Sequence, residues 1–206
     1  MNADDLSFRK FSINSGYRER FWVRNCVAVG LSAGFLEPLE ASAIVMVELS
    51  AKMSAENPPQ NRGAMDRVAR MFNDAFTYRW ERIVDFLKLH YVLSKRTDSA
   101  FWADNRRAET IPDSLREGLD FWRYHVPWHD DFTQKDEIFS AASYQYVLFG
   151  MGFNVDAPVR LLSDHREERA RARMQETQER SAVLARTLPN NRDLIRRIAR
   201  QGLQKI

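Results

Sequence analysis

Twenty residues set the expected architecture of this chain: Asn25-Cys-Val-Ala-Val-Gly-Leu-Ser-Ala-Gly-Phe-Leu-Glu-Pro-Leu-Glu-Ala-Ser-Ala-Ile44. Residues 25–29 have the length and apolar character of a strand, and Gly30 permits a tight turn after it. Pro38 stands near a predicted helix start, where its missing N–H costs nothing, and the apolar residues 41–53 predict the helix itself. Because a helix N-terminus presents unpaired N–H groups and a partial positive charge, this turn is suited to hold a small anion or an electron-rich ring.

Four later segments extend the pattern. They are Asp85-Phe-Leu-Lys-Leu-His-Tyr91, Arg96-Thr-Asp-Ser-Ala-Phe-Trp102, Phe149-Gly-Met-Gly152 and Thr187-Leu-Pro189. Together with the Glu-Pro-Leu-Glu core of the first stretch, these segments resemble the flavin-dependent tryptophan halogenase family. The resemblance runs from about residue 8 almost to the C-terminus. A match of this length and order is far more specific than a single glycine motif.

The resemblance implies a mainly α chain with a short β segment, the C-terminal helical part of a flavin monooxygenase-like halogenase fold. Family members also have an N-terminal flavin-binding half. Its G-x-G-x-x-G, its Trp-x-Trp-x-Ile-Pro segment and the lysine that carries the activated halogen are not in this sequence. We therefore expect the C-terminal portion alone. Residues 1–60 would complete the flavin and halide site, and residues 61–206 would form a helical substrate-side region.

Two glutamates, Glu37 and Glu40, bracket the proline of the signature. From residue chemistry alone they are a helix-entry pair that suits the macrodipole. The resemblance instead implies that Glu40 is the catalytic carboxylate and contacts the substrate, while Glu37 is the structural member of the pair. A carboxylate suits electrophilic aromatic substitution because the ring becomes positive when the halogen adds.

The resemblance also implies binding roles around the turn. It places flavin contacts at Gly30, Leu31 and Ile44, and halide contacts at the backbone N–H groups of Ser42 and Ala43. Backbone donors at a helix start suit chloride or bromide. The sequence reads Glu-Ala-Ser-Ala where the family usually reads Glu-Ser-Thr-Gly or Glu-Ser-Thr-Ser, so one hydroxyl is absent beside the catalytic carboxylate.

Substrate recognition is less well marked. The family's aromatic residue that holds the indole matches Phe139, and its asparagine one turn later corresponds to Ser143. The segment that binds the amino-acid backbone of tryptophan is shortened here, around residues 129–134. Phe139 is therefore open to two interpretations, a substrate platform or ordinary core packing.

The implied cofactors are FAD, reduced by a separate flavin reductase, and a halide ion. The implied partners are that reductase, the missing N-terminal FAD-binding half and an aromatic, indole-like small molecule. Two alternatives stay open. Instead of the C-terminal part of a halogenase, the chain could be a non-catalytic remnant or helical interaction domain, or one piece of a split enzyme.

Composition narrows the other possibilities. The net charge is only +3 and basic residues alternate with acids, which argues against nucleic-acid binding. No apolar run reaches the roughly 18 residues that a membrane span needs, and the first residues lack a secretory signal, so we expect a cytoplasmic protein. A single cysteine, Cys26, lies in the apolar segment and is expected to be a buried small hydrophobe rather than a nucleophile.

No metal site is expected. The four histidines, His90, His125, His129 and His165, are scattered without cysteine or carboxylate partners at metal-ligand spacing. His90 falls in an apolar helix and is interpreted as a core histidine.

Helical periodicity predicts the remaining elements. A stripe of apolar residues predicts a long helix over 65–95, with Trp80 in the stripe, and further helices are expected from about 111, over 137–149 and over 159–187. The last of these is a charged, solvated helix that ends at Pro189. Asn191 or Asp193 is expected to cap the final helix.

Overall fold

The computed structural model describes residues 9–132, 137–156 and 164–202. The chain divides into two compact units, residues 1–157 and residues 158–206. The described residues of the first form four two-residue strands, Gly16–Tyr17 (β1), Trp22–Val23 (β2), Cys26–Val27 (β3) and Gly34–Phe35 (β4), and the helices Ser42–Glu56 (α1), Arg62–Leu93 (α2), Ala100–Asn105 (α3), Asp113–Trp122 (α4) and Ala141–Gly150 (α5). The second contains Asp164–Thr187 (α6) and Asn191–Gln201 (α7). The predicted mainly α architecture with a short β segment is confirmed.

Two small antiparallel pairs precede the helices. β1 pairs with β4, with Gly16 opposite Phe35, and β2 pairs with β3, with Trp22 opposite Val27. A single 3₁₀ turn, Gly30–Ser32, connects β3 to β4. Two-stranded pairs this short have little stability of their own, so tertiary contacts must hold them in place.

The side chain of Asn73 supplies one such contact from α2. Its Oδ1 accepts hydrogen bonds from the backbone N–H groups of Phe21 and Trp22, both at 2.8 Å, and its Nδ2 donates to the carbonyl of Trp22 at 3.0 Å. Phe21 and Trp22 are themselves buried, against Phe76 and Phe72 respectively. One amide therefore satisfies three backbone groups at the start of β2 and fixes it on the long helix.

We expect Asn73→Ala to lower the free energy of unfolding by about 2 kcal/mol, because the buried N–H groups lose their acceptor. Urea denaturation followed by tryptophan fluorescence measures the change. Asp74→Ala alters the exposed neighbouring position on the same helix and should change stability by less than about 0.5 kcal/mol. Equal losses for the two variants would contradict the anchoring role.

The core lies along α2, which runs for 32 residues and is capped by Asn61. Its apolar stripe packs on α1, α4 and α5 and on the β2–β3 pair, as the periodicity predicts. The fully buried members with the largest side chains on this helix are Phe72, Phe76, Ile83, Phe86 and Leu89. The predicted helix over 65–95 is thus confirmed, beginning three residues earlier, at Arg62, and ending two earlier, at Leu93.

Asp85 is a buried carboxylate on this helix. It pairs with Arg82, Oδ2 to Nη2 2.7 Å, and accepts a hydrogen bond from the Ser114 hydroxyl, 2.8 Å. Burial raises the pKa of Asp85, while Arg82 and Ser114 oppose that rise. The folded state therefore binds this proton more tightly than the unfolded chain does, and the cost of the buried charge falls as the pH is lowered through the raised pKa.

Asp85→Ala is expected to cost about 3 kcal/mol of unfolding free energy, since it removes the partner of Arg82. Asp85→Asn also removes the charged partner of Arg82 but keeps an acceptor for Ser114, so at pH 7 it should cost less than Asp85→Ala. As the pH is lowered, the free energy of unfolding of the wild type should increase relative to that of Asp85→Asn. Urea midpoints at several pH values measure both effects, with Asp104→Ala, from an exposed ion pair with Arg107, as the control. An equal loss in the Ala and Asn variants at pH 7 would contradict this account.

Several local predictions were wrong. The strand expected over 25–29 is only Cys26–Val27, and Cys26 is exposed rather than buried, in a strand that pairs with β2 alone among the described strands. The helix expected from 137 begins at Ala141, where Ser140 accepts a hydrogen bond from the backbone N–H of Ser143. Asn190, and neither Asn191 nor Asp193, caps the final helix by accepting from the Asp193 N–H.

In the second unit, the described residues form two charged helices. On α6, Arg171 pairs with Glu167 at 2.6 Å and Arg173 with Glu176 at 2.7 Å, both exposed, as predicted for a solvated helix. The predicted start near 159 lies outside the described residues, and the description of this helix begins at Asp164. Among the described helices, none combines the length and apolar character needed to cross a membrane.

Candidate functional site

The turn before α1 has an unusual backbone. The 3₁₀ turn Leu39–Ala41 carries Glu40 at φ 65°, ψ 4° and Ala41 at φ 45°, ψ 30°. Left-handed conformations cost roughly 1–2 kcal/mol for a residue with a Cβ, so two in succession persist only where the surrounding structure enforces them. Such strain concentrates at functional sites, and here it fixes the direction of the Glu40 side chain.

One side of this region is an apolar cavity of about 140 Å³. The three predicted flavin residues, Gly30, Leu31 and Ile44, all line it. Ala43 of the predicted halide pair lines it as well. Gly30 has φ +63°, a conformation that favours glycine. The Leu31 and Ile44 side chains are 79% and 77% exposed. The structure therefore brings these residues to one concave, largely apolar surface.

Trp80 lies in the wall of the same cavity. It is buried and stacks on Tyr17, ring centroids 5.6 Å apart, so its prediction as a core residue is correct. Its indole Nε1 nevertheless has no hydrogen-bond partner among the described atoms. A buried donor left without an acceptor costs about 1–3 kcal/mol.

The predicted halide residues, Ser42 and Ala43, are the first two residues of α1. The Ser42 side chain is buried and Ala43 is exposed. Ala41 precedes them at the N-cap position and has no side chain able to accept from the helix N–H groups. The helix start therefore has backbone donors that an anion can satisfy.

Glu40 lines a second, larger cavity of about 810 Å³. Residues of α5 also line it, including Tyr146, which is 84% exposed, and Phe149. His90 of α2 lines the same cavity, with Nε2 3.6 Å from Oε1 of Glu40. The predicted catalytic carboxylate lies on the strained turn, whereas the predicted flavin residues lie on the earlier turn at Gly30 and on the first turn of α1, and the two sets line different cavities.

His90, Tyr146 and Phe149 were missed by the sequence analysis as site residues. The interpretation of His90 as a satisfied core histidine is half right, because Nδ1 lies 2.7 Å from the carbonyl oxygen of Phe86. The other ring nitrogen faces Glu40. No spacing signal links positions 40 and 90, and the aromatic residues of α5 give no sequence cue that separates the exposed ones from the buried Tyr144.

Phe139 is buried, with 8% of its surface exposed, and stacks on Phe86 with ring centroids 3.9 Å apart. It is not among the described residues that line the Glu40 cavity. Ser143 lies on the first turn of α5 and contacts Ser140. The packing of Phe139 favours the second interpretation offered by its sequence, a core residue beneath the cavity.

Glu37 lies apart from Glu40 and accepts a hydrogen bond from the Tyr91 hydroxyl, 2.5 Å. Burial, with the adjacent Glu37 carboxylate, raises the pKa of Tyr91 to about 12, so the phenol remains a donor throughout the physiological range. The Tyr91 ring in turn contacts Phe101 and Trp102 of α3. Glu37 therefore ties the signature turn to the helices behind it.

Solved structures define the class of this arrangement. The chain superposes on the tryptophan halogenase of Shewanella frigidimarina with a TM-score of 0.88 and 42% identity, covering 99% of this chain and 39% of that one. A flavin-dependent halogenase from Xanthomonas campestris gives a TM-score of 0.71 and 31% identity over 94% of this chain and 39% of that one. The fold is that of part of a flavin-dependent halogenase.

Sequence comparison identifies the family. The tryptophan halogenase family model matches residues 1–167, and the chain belongs to this family. It is 27% identical over 212 residues to the tryptophan 6-halogenase of Streptomyces albogriseolus, covering 96% of this chain and 39% of that protein. The chain thus spans well under half the length of the relatives it matches.

Membership of the family implies a flavin cofactor and a halide. The residues present fit a portion of such a site, because the apolar cavity at Gly30 and Ile44 can cover one face of an aromatic ring system. The start of α1 offers donors to an anion. Within residues 9–132, 137–156 and 164–202, no three or more metal-ligating side chains cluster so that they could hold a metal ion.

Proposed function

We propose that this chain is the C-terminal part of a flavin-dependent halogenase that places a halogen on an electron-rich, indole-like ring, using reduced FAD, oxygen and halide. The observation that carries the proposal is the position of Glu40. It lies on a strained turn, lines an open cavity together with aromatic residues of α5, and is followed directly by the start of α1, whose first turn lines an apolar cavity.

The two cavities would have different roles, one for the cofactor and the halide and the other for the substrate. Gly30, Leu31 and Ile44 would pack against the flavin, and the N–H groups of Ser42 and Ala43 would hold the halide. Bound reduced flavin supplies, with oxygen, the oxidising equivalents that convert halide into an electrophilic halogen. The lysine that carries this halogen in the family is absent from this sequence and would come from an N-terminal half.

Glu40 acts on the substrate side. When the ring gains the halogen it becomes a cation, which a nearby carboxylate stabilises. The ring then loses the proton from the substituted carbon to a Glu40 oxygen, and the C–H bonding electrons restore aromaticity. Tyr146 and Phe149, with their exposed rings on α5, would form the aromatic wall against which the substrate packs.

Reconstitution with a flavin-binding half tests the proposal. The chain would be co-expressed with the N-terminal FAD-binding half of the Shewanella frigidimarina relative and supplied with FAD, a flavin reductase, bromide, oxygen and a set of indoles. We expect stoichiometric FAD on the assembled pair, none on this chain alone, and a product with the bromine isotope pattern by mass spectrometry.

The other outcomes separate the alternatives. FAD binding without halogenation would support a catalytically inactive remnant. Failure of the halves to associate would support a helical interaction domain. A yellow protein obtained from this chain alone would contradict the assignment of flavin binding to two halves.

A further inference from the structure

We propose that His90 accepts the proton that Glu40 removes from the substrate, and so returns Glu40 to its anionic form within the active site. This inference rests on the proposed halogenase function. It concerns a residue of the long helix α2 that shares the larger cavity with Glu40.

The backbone defines the hydrogen position on one His90 nitrogen. Nδ1 lies 2.7 Å from the Phe86 carbonyl oxygen, and a carbonyl only accepts, so Nδ1 carries a hydrogen. Phe86 precedes His90 by one helical turn, and its ring meets the imidazole edge-on with centroids 5.0 Å apart. Carbonyl and ring together restrict rotation of the imidazole.

With Nδ1 protonated, the neutral imidazole presents the lone pair of Nε2. That atom is 3.6 Å from Oε1 of Glu40, which is also an acceptor when ionised. Two acceptors do not attract each other, so the pair becomes favourable when a proton lies between them. The arrangement is therefore built to receive one proton.

The distance between Nε2 of His90 and Oε1 of Glu40 fits a pair that forms a hydrogen bond only when one of the two atoms carries a proton. A hydrogen bond between nitrogen and oxygen needs about 3 Å, so roughly 0.6 Å must be closed, and catalytic hydrogen bonds commonly tighten on going from the free to the reacting state. Both side chains have room for this movement, because the Glu40 carboxylate and the imidazole are 39% and 21% exposed.

The proton transfers balance. The ring C–H bond breaks, its electrons return to the ring, and an O–H bond forms on Glu40. That O–H bond then breaks as an N–H bond forms on Nε2 of His90. Neutral imidazole and carboxylic acid become imidazolium and carboxylate, and the imidazolium gives its proton to water in the open cavity. Tyr146 is the other titratable residue among those that line the cavity.

Nitrogen-15 NMR of the histidine rings in the full chain tests the arrangement without activity. We expect the neutral form of His90 to carry its hydrogen on Nδ1, with Nε2 as the nitrogen that gains a proton as the pH falls. A neutral form protonated at Nε2 would overturn the proposal, because that nitrogen would then have no lone pair to offer Glu40. Comparison with His90→Gln assigns the signal.

Two variants of the assembled enzyme test the proton transfer. Neither Gln nor Asn at position 90 can accept a proton, but the Gln amide can reach toward Glu40. We expect both variants to lower kcat by about 100-fold with little change in KM, and added imidazole to restore part of the rate. Full activity in His90→Gln would show that the residue only positions Glu40 and would overturn the proposal.

A matched control and a folding check complete the test. His165→Gln changes an exposed histidine on α6 and should leave turnover unchanged. Thermal melting of each variant confirms that it is folded. An inactive wild-type assembly would count against the proposed function, while the NMR measurement would still decide the His90 arrangement.

Discussion

Replacing Glu40 with glutamine in the assembled enzyme is expected to lower halogenation by about 10²–10³-fold while FAD affinity stays unchanged. Glutamine keeps the size and polarity of the side chain but loses the charge that stabilises a cationic ring, and it cannot take a proton. The flavin residues Gly30, Leu31 and Ile44 line a different cavity, so cofactor binding should not respond. Single-turnover rates and FAD titrations measure the two effects separately.

Glu37→Gln is the matched control, since it makes the same change three positions earlier. Glu37 bonds the Tyr91 hydroxyl, and a glutamine carbonyl can still accept that bond. We expect turnover within a few-fold of the wild type. Unchanged turnover in Glu40→Gln would remove its catalytic assignment, and equal losses in the two variants would indicate that the turn, rather than the Glu40 carboxylate, had been damaged.

Much of the helical architecture could be predicted from sequence because it depends on local periodicity. The apolar positions of α2, such as Phe72, Phe76 and Ile83, recur every three or four residues and are all buried. The short strands could not be predicted as well. Residues 25–29 have β-forming composition, but strand length depends on the partners available, and only β2 pairs with β3.

Candidate site residues could be predicted from the sequence only where they belong to a family motif. The family resemblance pointed to Glu40, Gly30 and Ile44, which lie on one continuous stretch. It could not indicate that Glu40 and Ala41 adopt left-handed backbone conformations, because local propensity disfavours both. Nor could it pair position 40 with His90, since that contact depends on how α2 packs beneath the turn.

Phe86 connects the packing of the core to the geometry of the site. Its ring is 1% exposed, and it contacts Phe139 at 3.9 Å, Tyr144 at 4.9 Å and His90 at 5.0 Å between ring centroids. We expect Phe86→Ala to lower the free energy of unfolding by about 3–5 kcal/mol, because it removes buried apolar surface and leaves a cavity among these rings. Urea denaturation monitored by circular dichroism measures the loss.

Phe121→Ala is the control, since Phe121 is half exposed on α4 and the same truncation there should cost less than about 1 kcal/mol. Phe86→Leu separates packing from positioning. Leucine restores most of the buried volume, so stability should recover to within about 1.5 kcal/mol of the wild type. It cannot restore the edge-on contact with the imidazole, and turnover in the assembled enzyme should therefore stay below that of the wild type. A leucine variant with full stability and full turnover would show that the aromatic contact does not hold His90, whereas low turnover in a stable variant would place the effect of Phe86 at the site.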